Sequence, residues 1–129
     1  MQPYTIAGTK SSPAVDFNPA DNVLTLIGQS YPENAFKFYE PILEWLDDYL
    51  AQLSPEDEAV ARFQIPYMNT SSTKCLMMLL EKLDGAYAQG KRVAVRWSCN
   101  PENEGEFECA EELKEDLSLP FDIIALEDR

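Results

Sequence analysis

Residues 60–87 read VARFQIPYMNTSSTKCLMMLLEKLDGAY, and a change of period inside this stretch sets the fold class. Over Val60–Met68 apolar and polar residues alternate, with Ala61, Phe63, Ile65 and Tyr67 pointing one way and Arg62 and Gln64 the other. A period of two belongs to a strand with one buried face. Pro66 cannot donate to a ladder, so it marks an edge or a bulge near the strand end. From Lys74 to Tyr87 the spacing becomes three and four. Leu76, Leu79, Leu80, Leu83 and Tyr87 then form the apolar stripe of a helix. Between the two lies Asn69-Thr70-Ser71-Ser72-Thr73, a dense run of helix-capping residue types.

The same reading extends in both directions. Upstream, Tyr4–Ile6 suits a short strand broken by Gly8. Ala14–Asn18 and Val23–Ile27 make a hairpin around the turn residues Asn18 to Asn22. Ala35–Leu53 is helical, with Phe38, Ile42, Trp45, Leu46, Tyr49 and Leu53 as its stripe; Pro41 is expected to kink it or to start a second helix. Downstream of Gly90, Val93, Val95 and Trp97 alternate with Ala94, Arg96 and Ser98. Asn100–Glu106 reads as a solvated acidic loop, Phe107–Leu117 as a helix with Leu113 and Leu117 inside, and Phe121–Leu126 as a last strand. The order β-β-α-β-α-β-α-β, with an additional amino-terminal strand, predicts one α/β domain over residues 1–129. Its mixed sheet should carry the helices mainly on one face.

Composition narrows the function. Acidic residues outnumber basic ones 23 to 10, a formal net charge of −13. Nucleic acid and anionic membranes both need clustered Lys and Arg, so neither is an expected partner. The absence of histidine removes the commonest general base and metal ligand. Cys75, Cys99 and Cys109 have no metal-binding spacing, are odd in number, and read as small buried hydrophobes with free thiols, which suits a reducing cytoplasm. No Walker motif, GxGxxG, calcium loop or distinct carboxylate couple appears, so no cofactor, metal or catalytic group is expected. The amino terminus lacks a signal-peptide pattern, and no apolar run approaches a membrane span.

Chemistry is best placed at the strand-to-helix crossing. Sites in α/β sheets gather beyond the carboxyl ends of strands. A helix start offers unpaired N–H groups and partial positive charge, so a phosphoryl group there is favourably placed. Asn69, Thr70 or Ser72 also serves simply as a cap, and one hydroxyl can cap while another is modified. Lys74, one turn in, would pair with a phosphate or an acid, or stay solvated. Ser30-Tyr31-Pro32-Glu33-Asn34 likewise follows a strand and opens a helix; it reads either as a cap or as part of the same binding surface.

Gly8-Thr9 with Ser12-Pro13, Gly28-Gln29-Ser30-Tyr31-Pro32-Glu33-Asn34-Ala35 and Tyr67-Met68-Asn69-Thr70-Ser71-Ser72 together resemble the SiaC family of bacterial regulatory phosphoproteins, over nearly the whole chain. The resemblance implies a STAS-like fold and a phosphoacceptor at Thr70, the threonine of the NTSS stretch. It further implies a dedicated protein kinase, a PP2C-type phosphatase, and a diguanylate cyclase that the unmodified form binds and activates, promoting cyclic-di-GMP synthesis and biofilm formation. Partner contacts are then expected from Ser30, Tyr31, Pro32, Glu33, Asn34, Asn69, Ser71, Ser72 and Lys74. The competing expectation is an anti-sigma-factor antagonist acting on an anti-sigma kinase.

Overall fold

Alternating burial and helical periodicity resolve, in a computed structural model describing residues 1–126, into six strands and three helices. In chain order they are β1 (Tyr4–Ile6), β2 (Ala14–Asn18), β3 (Val23–Ile27), α1 (Ala35–Gln52), β4 (Glu58–Gln64), α2 (Thr70–Ala88), β5 (Arg92–Cys99), α3 (Glu104–Glu115) and β6 (Phe121–Ala125). All strands join one sheet whose spatial order equals the chain order. The β1–β2 and β2–β3 pairs are antiparallel; β3–β4, β4–β5 and β5–β6 are parallel. The sheet is therefore mixed, as expected.

Crossovers between parallel strands are right-handed as a rule, so three in succession that all step in one direction put all three helices on the same face. Burial agrees. Val15, Phe17, Leu24, Leu26, Ala61, Phe63, Val93, Val95 and Trp97 are sealed on the helix side, and their strand neighbours face outward. The core closes where these residues meet Ile42, Leu46 and Tyr49 of α1 and Leu76, Leu79, Leu80 and Leu83 of α2. Trp97 stacks between Phe63 and Phe121, at centroid distances of 4.9 and 6.1 Å.

Several boundaries differ from the sequence reading. β4 stops at Gln64, because Pro66 cannot extend the ladder; Met68 returns only as an isolated bridge to Ser30. Pro41 lies inside an uninterrupted 18-residue α1, exposed, and starts no second helix. α2 begins at Thr70, one turn earlier than its apolar stripe suggested, and Tyr87 at its far end is exposed rather than core. α3 begins at Glu104, so the last three residues of the expected loop are helix. Glu106 is buried rather than solvated, since its carboxylate accepts the Asn100 N–H at 2.8 Å. No helix of the described residues is long and apolar enough to cross a membrane.

Candidate functional site

β3 and β4 are adjacent and parallel, so the helices that follow them start side by side. Both starts are capped by asparagine. The Asn34 side chain accepts the Lys37 N–H at 3.1 Å, and that of Asn69 accepts the Ser72 N–H at 2.9 Å. The Asn69 carbonyl also takes the Thr73 N–H and the Thr73 hydroxyl, both at 2.9 Å. Asn69 thus fills the capping role for which the sequence offered three candidates, and Thr70 is released from it as the first residue of the helix.

The two connecting loops are stitched together. Past the end of the β3–β4 ladder, Gly28 N–H donates to Gln64 O at 2.9 Å, Ser30 N–H to Tyr67 O at 2.8 Å, and Asn69 N–H to Ser30 O at 3.0 Å. Gly28 has φ +129, and a Cβ there would stand 3.1 Å from Pro13 Cα, so only glycine lets the chain turn so close to the residue 8–13 loop. That loop is tied in by the Tyr31 N–H donating to Ser11 O at 2.7 Å.

Beneath the loops runs a buried chain of hydroxyls. Ser30 Oγ donates to Ser72 Oγ at 2.9 Å and lies 2.6 Å from Tyr39 Oη, which therefore donates to Ser30. Ser30, Tyr39 and Ser72 are all fully buried. Burial pushes the Tyr39 phenol up to about 12. Ser30 and Ser72, expected among the partner contacts, are therefore interior: their hydroxyls hold the two loops in register and have no route to a partner or a kinase. Sequence reading missed Tyr39, because Phe38 and Ile42 already satisfied the stripe and Tyr39 gave no separate signal.

The remaining candidates lie at the surface. Thr70, Ser71, Glu33, Asn34 and Lys74 are exposed, and Tyr31, Pro32 and Asn69 are half-buried. Tyr31 meets Tyr67 edge-on at 5.8 Å between centroids. Tyr67 and Phe36 are more than half exposed, at 54% and 58%, which places large apolar surface around the two helix starts. Lys74 follows Thr70 by four residues and so lies on the same helical face. Met77 and Met78, also exposed, carry an apolar surface further along α2.

The arrangement places an exposed threonine at the positive end of α2, a setting that favours an anion. Cys75, the nearest thiol in sequence, is buried, and burial raises its pKa, which leaves it a poor nucleophile. Among the described residues no group of three or more His, Cys, Asp or Glu is placed to hold a metal ion.

Comparison with known proteins agrees in fold and family. A chain of apo-SiaC from Pseudomonas aeruginosa superposes with a TM-score of 0.91 at 34% identity, over 97% of this chain and 100% of that one. A crystal structure of the diguanylate cyclase SiaD in complex with its activator SiaC, from the same organism, contains a chain matching at TM-score 0.90 and 35% identity, over 95% and 99% of the two chains. An uncharacterized protein of P. aeruginosa (strain UCBPP-PA14) is 37% identical over 125 residues, 97% of this chain and 98% of that protein. The family model for the SiaC family regulatory phosphoprotein matches residues 6–126. The chain belongs to the SiaC family of regulatory phosphoproteins.

Proposed function

We propose that this protein is a non-catalytic adaptor switched at Thr70: a dedicated kinase phosphorylates that hydroxyl, a PP2C-type phosphatase clears it, and the unmodified form binds and activates a diguanylate cyclase. The observation that carries the reading is the position of Thr70, exposed at the first residue of a helix whose cap is supplied by a different residue. The hydroxyl is reachable, and a phosphate on it would face the positive end of α2 without displacing the cap. Family membership supports a regulatory phosphoprotein, and the SiaC–SiaD complex supports a cyclase as the partner.

Docking in this scheme covers the paired helix starts, with Tyr31, Pro32, Phe36 and Tyr67 as apolar contacts and Lys74 at the rim. A phosphoryl group adds about −1.5 to −2 charge in the middle of that surface, where desolvating it on docking is costly. Because the helix end favours the anion, phosphorylation leaves the adaptor folded and acts on the partner's affinity.

The test uses the intact chain with a candidate kinase, ATP and a SiaD-type cyclase. Fragment-ion mass analysis should place a single phosphoryl group on Thr70 and none on buried Ser72. Thr70→Ala should remain unmodified and still activate the cyclase. Thr70→Asp should bind it at least ~10-fold more weakly. Equal affinity of the Ala and Asp variants would remove the electrostatic account, and pull-down of an anti-sigma kinase in place of the cyclase would move the protein to the competing class.

A further inference from the structure

The face of the sheet opposite the helices is bare, and its charges are ordered. Register places Thr5, Asp16, Thr25, Arg62, Arg96 and Asp122 in one row across all six strands. One row away lie Asn18, Val23, Val60 and Ala94, and beyond them Glu58 beside Arg92. Three of the four arginines of the chain thus share this face, and the fourth, Arg129, is outside the described residues. Two features are unusual. Arg62 and Arg96 are direct neighbours on adjacent strands, a like-charge placement that opposes sheet formation unless an opposite charge is brought to it. Among the described residues the one ion pair is Lys82 with Asp47, so none of these six charges has an opposite partner within 4.0 Å.

The face is neutral, three arginines against Asp16, Glu58 and Asp122. Among the described residues the acidic excess therefore lies elsewhere, as 6 basic against 18 acidic residues. The rest of the surface is strongly acidic on balance, whereas two copies meeting through this face bring no net like charge together.

We infer that the bare sheet face is a self-association surface and that its occupant is a second copy of this chain. A two-fold axis running along the strands through the middle of the sheet, between β3 and β4, superimposes the row on its own reverse. Asp16 of each copy then faces Arg96 of the other, Arg62 faces Thr25, and Val23 faces Val60. Asp16 and Arg96, which have no opposite partner within one copy, are thereby paired twice across the axis, Arg62 and Asp122 meet threonine hydroxyls, and the Val23–Val60 row is covered at the same time. Six strands at about 4.8 Å spacing and about five residues each give a footprint of roughly 500 Å² per copy, below the usual ~800 Å². The dimer is consequently reversible and fills with rising concentration.

Sedimentation velocity on the full chain from roughly 10 μM to roughly 1 mM tests this, the range suited to a small interface. The wild type should shift from monomer to dimer. Asp16→Arg and Arg96→Asp should each raise the dissociation constant by about 100-fold, since each sets like charges face to face. An equimolar mixture of the two variants should recover the dimer. In the mixed pair the two substituted positions face one another with opposite charge, and the native Asp16 of one variant faces the native Arg96 of the other. Recovery also proves that both variants are folded; should either be unfolded by circular dichroism, Asp16→Asn and Arg96→Gln replace them, each weakening association several-fold. A wild type that stays monomeric throughout overturns the proposal and leaves the face to another partner. So does a dimer that persists in both variants, or a folded mixture that fails to recover it.

Discussion

Thr70 and Ser72 stand two residues apart in one helical turn, yet one reaches solvent and the other is sealed in a hydroxyl chain with Ser30 and Tyr39. The difference comes from Asn69. By accepting the Ser72 N–H it fixes the rotation of the first turn, which sends position 72 inward and position 70 outward. Asn69→Ala should therefore cost about 0.5–2 kcal/mol in urea unfolding and also blur the choice of acceptor, detectable as a second phosphorylated hydroxyl by fragment-ion analysis. Ser30→Ala removes a hydroxyl between two buried partners and should cost about 1–3 kcal/mol. Ser30→Ala with Ser72→Ala should cost less than the sum of the single changes, because the second removes a group the first has already orphaned. Sequence alone marked the NTSS stretch as chemically special, but four adjacent hydrogen-bonding side chains are equivalent until the Asn69 cap and the tertiary contact of Ser30 with Ser72 sort them.

At the level of elements, the runs with a clear period were legible and the ends were not. β2 and β3 fall on the residues expected, because their alternation is bounded by turn residues on both sides. The start of α2 was misread because its first turn is polar, so hydrophobic periodicity is silent there and only the cap reveals it. The same holds for α3, whose acidic first turn complements the helix dipole instead of dissolving into loop. Pro41 shows propensity overruled by packing. Its ring removes the bond to the Lys37 carbonyl, but Tyr39, Ile42, Leu43 and Leu46 are all buried around it and hold the helix through the defect. Pro41→Ala restores that bond at an exposed position and should stabilise the fold by about 1–3 kcal/mol, read as a higher urea midpoint with an unchanged slope. Cyclase activation should be unaffected, since Pro41 lies nearly two turns from the helix start.

For the molecule as a whole, a charge of −13 works against compactness, and added salt should raise the thermal midpoint by screening that repulsion. Alkaline pH acts through different groups. Burial pushes Tyr39 and Tyr49 up to about 12 from an unfolded value of 10.0, and Cys99 up to about 11 from 9.0, by burial first and then by Glu106 and Cys109. The folded state holds these protons where the unfolded chain has lost them, so stability is fully present below pH 9 and falls as pH rises through 9 to 12. Urea midpoints across that range should decline, and phenolate absorbance should show two tyrosines ionising late. The two tryptophans divide the molecule optically. Trp97 is sealed between aromatic rings in the sheet, whereas Trp45 is half-buried, stacks on Tyr49 at 5.1 Å, and donates its indole N–H to the Gln2 carbonyl at 2.9 Å. In a Trp97→Phe variant the remaining fluorophore would thus watch the seam between α1 and the amino-terminal segment, its emission reddening when residues 1–3 peel from α1 while the far-ultraviolet dichroism still reads native.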